Sequence, residues 1–260
     1  MLELGWLLRG RTWMKMEFKM RFRYSLMIIL FLLSVCFVTQ CHRQFTGPDE
    51  KTGTMTDIDG NVYRTVKIGS QVWMAENLKV AHYRNGDAIP EVTDSLIWQI
   101  LTIGACCAYD NSAENVPVYG YLYNWYAIND NRDIAPEGWH VPSDEEWKEL
   151  EIYLGMSQSE ADESGERGTE EGGKLKATGT AYWLYPNIGA SDLYGFSALP
   201  GGDREHTGRF YGKFSRAMFW SVTESGTYYA VARGLRFHSS GIGRGDMNKI
   251  SGLSIRLIRD

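Results

Sequence analysis

The sequence predicts an α+β domain in which two short helices pack on irregular antiparallel sheets joined by long loops. Three observations point there. No βα unit repeats along the chain, two helical patterns fall in the first half of the mature sequence, and the second half breaks into short β-prone segments separated by glycine.

Ahead of that domain the chain carries an address. Arg21 and Arg23 precede an apolar run from Leu26 to Val38, and Val38-Thr39-Gln40 leads into Cys41. A run of 13 residues is shorter than the roughly 20 that cross a hydrocarbon core, so residues 20–40 read as a lipoprotein signal peptide with Cys41 as the lipidation site. Residues 1–19 hold Trp6, Trp13 and Glu17, which do not suit a signal's n-region, and are read as an overcalled extension before Met20. Residues 41–55 are polar, with Gly47, Pro48 and Gly53, and suit a tether between lipid and fold. The expected location is the outer membrane, by way of the lipid on Cys41, facing the surface or the periplasm.

Residues 56–260 make a single domain, about 205 residues and large enough for a substantial core. Asp59-Gly60 between two β-prone stretches predicts a hairpin, and Gly69-Ser70 a second tight turn between Thr65–Ile68 and Gln71–Met74. Asp57, Asp59 and Asn61 imitate the opening of a calcium loop but lack its closing glutamate, so a turn is preferred. Residues 85–117 show no period and read as loops.

Tyr119, Leu122, Tyr123 and Tyr126 recur at helical spacing and predict one short helix. Ser143 and Glu146 form a capping box before Trp147, Leu150 and Leu154, and Gly155 ends that second helix. Gln158–Gly173, rich in Gly, Ser and Glu, reads as an exposed loop. Residues 196–199, 219–222, 228–232 and 255–258 read as short strands.

Composition excludes some functions. From Cys41 onward the chain holds 21 Lys plus Arg against 30 Asp plus Glu, a net charge of −9, so nucleic acid is not an expected partner. Asp144–Glu171 is dense in carboxylates and Arg204–Arg259 in basic residues, which suits internal pairing. Only Cys106 and Cys107 remain after the signal and Cys41, and adjacent cysteines are too close for an unstrained disulfide, so they read as structural thiols.

His42, His82, His140, His206 and His238 lack metal-ligand spacing. Ser197 stands outside any nucleophile elbow, and Arg244-Gly245-Asp246 matches an integrin-read tripeptide that recurs by chance. No catalytic residue, cofactor or metal site is expected. A candidate ligand face is assembled from the late aromatics Trp183, Tyr185, Phe210, Tyr211, Trp220 and Tyr228, with Asp203, Arg204 and Arg236 as polar partners, because flat rings and planar hydrogen-bonding groups suit sugars.

Six stretches together resemble the Fibrobacter succinogenes major paralogous domain, a family of exported bacterial proteins. They are Asp59–Tyr63, Gly69–Leu78 (containing Ala75-Glu76-Asn77-Leu78), Tyr123–Tyr126, Gly138–Ser143, Gly195–Gly202 and Ser254–Arg259. The helix start at Val141–Trp147 and the closing Ser254–Arg259 segment also look like parts of C-type-lectin-like folds, including the sulfatase-modifying group. That likeness implies a lectin-like core whose two ends meet in one sheet, and not the activity of either relative. No cysteine follows Cys107, where formylglycine-generating enzymes use a late pair, and the calcium-lectin loops are absent. The reading is therefore a membrane-anchored, non-catalytic recognition domain for a glycan or an envelope protein. The alternative is a structural or assembly module of the envelope, and a formylglycine-generating-like enzyme stands third.

Overall fold

The computed structural model describes residues 53–260. The extension, the signal, Cys41 and the tether as far as residue 52 lie outside the described residues. Among those described, no helix is long and apolar enough to cross a membrane.

The domain begins with the expected hairpin but three residues earlier than expected: Gly53–Met55, read as the end of the tether, belong to β1 (Gly53–Thr56), which pairs antiparallel with β2 (Val62–Ile68). Its turn is fastened by Asp57, whose carboxylate accepts from the backbone N–H of Asp59 and of Asn61, from the Asn61 amide and from the Tyr63 hydroxyl at 2.6–3.0 Å. Gly69 and Ser70 then turn the chain into β3 (Gln71–Met74).

The stripe from Tyr119 to Tyr126 does not form one helix. After α1 (Ser95–Trp98) and β4 (Cys106–Cys107), the chain makes α2 (Val116–Tyr119), β5 (Leu122–Tyr123) and α3 (Trp125–Ile128). Gly120, at φ +73°, stops the first turn, and Asn124 caps the next by accepting from Ala127 N–H at 3.1 Å. Spacing alone had placed four large side chains on one face, but a glycine and an N-cap inside the stripe split it. Cys106 and Cys107 are free and buried where β4 pairs with β5, and burial pushes the Cys107 thiol up to about 12.

After β6 (Trp139–His140), α4 (Asp144–Tyr153) starts at the expected capping box of Ser143 and Glu146. It buries Trp147, Leu150 and Leu154, and the Trp147 ring lies 4.8 Å from that of Trp73. The stretch expected to be an exposed loop is instead ordered as α5 (Gln158–Asp162), β7 (Gly165–Arg167) and α6 (Glu171–Leu175). A second capping box, Ser157 with Glu160, and the inward-pointing Arg167 organise it.

The rest is β8 (Gly201–Arg204), β9 (Phe210–Lys213), β10 (Arg216–Glu224), β11 (Tyr229–Arg236), β12 (Ile242–Asn248) and β13 (Ile258–Arg259). The strands expected at 219–222 and 228–232 fall largely in β10 and β11. Residues 196–199 form only a bridge between Ala198 and Lys176, because Ser197 sits at φ +52°, and of 255–258 only Ile258 enters a named strand.

Two larger sheets result, ordered β1-β2-β3-β13-β6 and β7-β12-β11-β10-β8-β9, and all named pairings are antiparallel except β8 with β10. The early hairpin and the last strand therefore share one sheet, in an α+β arrangement.

The acidic helix and the basic late strands are tied by buried charge. Glu151 accepts from Arg167 through both oxygens at 2.9 Å and from Arg233 Nε at 2.6 Å. Asp144 receives Arg233 at 2.8 Å and both Nε and Nη2 of Arg244 at 2.9 and 2.6 Å. Burial works against the Asp144 anion, but these guanidinium groups outweigh it and hold the carboxyl well below the usual range. Arg244 of the Arg-Gly-Asp tripeptide is thus engaged within β12 by Asp144.

Candidate functional site

The structure takes apart the ligand face expected from the late aromatics. Trp220 is fully buried and donates its Nε1–H to Tyr123 O at 2.8 Å; Trp183 is buried and donates to Ala198 O at 3.0 Å. Asp203 is buried in an ion pair with Arg216. Arg204 is buried between the rings of Trp98 and Phe210 and donates to the carbonyls of Gly208, Val92 and Thr93.

These four are core: Asp203 and Arg204 lie on β8, which is buried along its whole length, Trp220 is on the buried part of β10, and Trp183 reaches inward from the loop that precedes β8. Phe210 is half-buried against Tyr109, and Arg236 pairs with Glu166 at 2.8 Å. Tyr185, Tyr211 and Tyr228 are exposed but are carried on three different segments: the 184–190 loop, β9 and the β10–β11 connection. Of the expected set, only Arg204 and Phe210 are brought together as ring and cation, and they pack as core.

A different group of residues lines a cleft of about 420 Å³. Its walls are β2 and the segment after β3 on one side, and α2 with the chain at 177–199 on the other; Arg64, Glu76, Asn77, Lys79, Tyr182, Ser197 and Arg256 supply its polar and aromatic lining.

Asn77 is the joint of this cleft. The backbone around it is pinned by Ala75 N–H to Arg64 O at 2.8 Å and by Leu78 N–H to Ile255 O at 3.0 Å. Its amide donates to Tyr119 O at 2.8 Å and Ser254 Oγ at 3.2 Å, which leaves Oδ1 to accept from Arg256 Nε at 2.7 Å. Gly120 allows this approach, since a Cβ there would lie 2.4 Å from Leu78 O and 2.9 Å from the Asn77 Cβ.

Arg256 forms the floor. Besides Asn77, it donates through Nη1 to Met74 O at 3.0 Å and Phe196 O at 2.7 Å, and through Nη2 to Ser197 O at 3.2 Å. Its guanidinium lies 4.6 Å from the Phe196 ring centroid. All of these acceptors are neutral. Burial pushes the group down to about 9, so it remains charged at neutral pH.

Ser197 is held at its positive φ by Asp192, which accepts from the Ser197 N–H at 2.7 Å and from its hydroxyl at 2.6 Å. Arg64 lies 3.1 Å from Glu76 across the rim, and Tyr182, 44% exposed, offers an aromatic wall. Three cations therefore face one carboxylate.

Elsewhere the carboxylates that imitate a calcium loop are engaged: Asp57 in its turn, and Asp59 with His82 and with Ala81 N–H. Among the described residues no group of three or more His, Cys, Asp or Glu is placed to hold a metal ion.

Residue types alone did not single out the cleft, because its members stand far apart in the sequence. A signal was nevertheless present: Glu76 and Asn77, Ser197, and Arg256 belong to three of the six stretches that carried the family resemblance. No curated protein and no solved structure matches the chain. The family model described as the Fibrobacter succinogenes major domain matches residues 66–259, which takes in Ala75–Leu78, Gly195–Gly202 and Ser254–Arg259, and the chain belongs to that family.

Proposed function

We propose that the chain is an exported protein of the bacterial cell envelope, anchored in the outer membrane by lipid on Cys41, whose C-type-lectin-like domain binds glycan in the Arg256 cleft without catalysis. One observation carries this reading: a cavity within the size range of small-ligand sites joins an exposed aromatic wall, Tyr182, to convergent planar donors and acceptors on Arg64, Glu76 and Arg256. Such a combination suits the apolar face and hydroxyl rim of a pyranose. The Ser197 hydroxyl donates to Asp192 and no histidine lines the cleft, which supports binding over acyl transfer. The sharing of one sheet by the early hairpin and the last strand supports the lectin-like fold.

A screen of the exported form against glycans, with calcium and again with EDTA, tests it. Saturable binding that falls in Tyr182→Ala while folding is retained supports the reading; a well-folded protein that binds no glycan overturns it. Incorporation of labelled palmitate, lost in Cys41→Ser, tests the anchor.

A second reading, a structural or assembly module, is favoured by the exposed side chains Leu96, Ile97, Ile100 and Ile103, which form an uncharged apolar stretch. It predicts a stable protein partner in detergent extracts that is lost when Leu96 and Ile100 become serine.

A further inference from the structure

The cleft carries more positive charge than its protein partners neutralise. Arg64, Lys79 and Arg256 line it with Glu76 as the single carboxylate, and Glu76 is drawn to the rim by Arg64 Nε and by the Arg64 backbone N–H at 2.8 Å. Lys79 lies over the Tyr63 ring at 5.4 Å and, among the described residues, has no carboxylate within salt-bridge distance.

Arg256 is the sharper case. Its exposure is 1%, its acceptors are one amide oxygen and three carbonyls, and one of the two N–H groups on Nη2 has no acceptor among the described residues. The buried Arg167 and Arg233 instead meet Glu151 and Asp144 directly. Arg204 and Lys176 are also held by carbonyls, but neither lines this cleft. A desolvated cation beside an open cavity is the arrangement in which an incoming anion gains most, since it meets little competing water and replaces no protein carboxylate.

We propose that the ligand of this cleft is an acidic saccharide, a uronic-acid unit whose carboxylate is received by Arg256 and Lys79 while its ring lies against Tyr182. The proposal rests on the recognition reading above and narrows it. A carboxylate matches the planar guanidinium, and the apolar lining from Val62, Pro117, Val118 and Leu199 suits a sugar ring better than a fully charged chain. Long-range attraction adds to this, so binding should weaken steeply with salt.

The test is calorimetric titration of the exported protein with oligomers of galacturonate, glucuronate and mannuronate, with the methyl esters of each, with neutral oligosaccharides and with oligoglutamate. The expected result is binding of at least one uronate, weakened about tenfold or more in its methyl ester, the order of one lost charge-assisted hydrogen bond. Lys79→Met, whose half-exposed side chain is not part of the core, should weaken uronate binding by a similar factor at unchanged stability. Arg256→Met should abolish binding, with circular dichroism recording whether it folds, and Lys79→Met decides the matter where it does not.

Equal binding of acid and ester, or of neutral oligosaccharides alone, overturns the acidic ligand while leaving glycan recognition standing. Oligoglutamate binding as tightly as the uronates overturns the saccharide. No binding of any sugar by folded protein overturns both readings.

Discussion

Asn77 Oδ1 and Arg256 Nε, in residues separated by 179 positions in the chain, share a buried 2.7 Å hydrogen bond that joins the segment after β3 to the segment before β13. Asn77 has no spare donor here, because both hydrogens of its amide serve Tyr119 O and Ser254 Oγ. Asn77→Leu would leave a buried guanidinium N–H and a buried carbonyl without partners. We expect a loss of about 2–4 kcal/mol in urea unfolding. A loss below about 1 kcal/mol would show that water replaces the amide and that the joint is dispensable.

Glu151 is the acceptor for two buried arginines. Glu151→Gln keeps the shape and removes the charge, so Arg167 and Arg233 lose their common counter-ion; the expected cost is about 3–5 kcal/mol by equilibrium unfolding. Glu145→Gln, at an exposed carboxylate paired with Lys148, should stay within about 0.5 kcal/mol. Equal effects at the two positions would refute the assignment of Glu151 as the charge centre of the core.

His140 gives the fold a pH dependence. Its Nε2 lies 2.7 Å from Glu146 Oε1 and its Nδ1 2.6 Å from Asp260 Oδ1. Partial burial disfavours the imidazolium, but the two carboxylates outweigh it and raise the pKa. A raised folded-state pKa means that the contribution is complete below the unfolded value of about 6.5 and is lost as pH rises through the folded-state value. Melting temperature should therefore decline from pH 6 to pH 8.5, and His140→Gln should flatten that decline. Parallel curves for the two proteins would remove His140 as its source.

Trp220 and Tyr182 separate structure from binding. Trp220→Ala removes a fully buried indole and its hydrogen bond to Tyr123 O, at an expected cost of about 3–5 kcal/mol. Tyr182→Ala removes a half-exposed wall and should lower glycan affinity at nearly unchanged stability. Differential scanning fluorimetry beside the binding screen reads both. A stable Trp220→Ala protein that had lost binding would restore Trp220 to the ligand face.

Local signals were legible. Asp59-Gly60, Gly69-Ser70 and the Ser143/Glu146 box each act over a few residues, and each stands where the sequence placed it. Gly120 and Asn124 overrode the tyrosine spacing, since a single glycine at positive φ ends a helix whatever its neighbours favour. In Gln158–Gly173, composition concealed a capping box and a buried Arg167 whose partner, Glu151, precedes the segment. Trp220 was misplaced because aromatic content does not say which side of a strand faces inward, and Trp183 because it does not say whether a loop side chain turns into the core. Arg64, Lys79 and Tyr182 became visible only once the fold had closed, although Asn77, Ser197 and Arg256 each lay in a stretch that carried the resemblance.

The position of β13 sets when the five-stranded sheet can close. Ile258 fills the gap between Trp73 and His140, and the adjoining Arg256 bonds to Met74 O across 182 residues of chain, so the five-stranded sheet stays open until that segment docks. Pairings this distant make closure slow. If the chain is exported as proposed, delayed closure would act as a timer: it would keep the chain unlocked during passage and lock it once both edges of the gap have emerged.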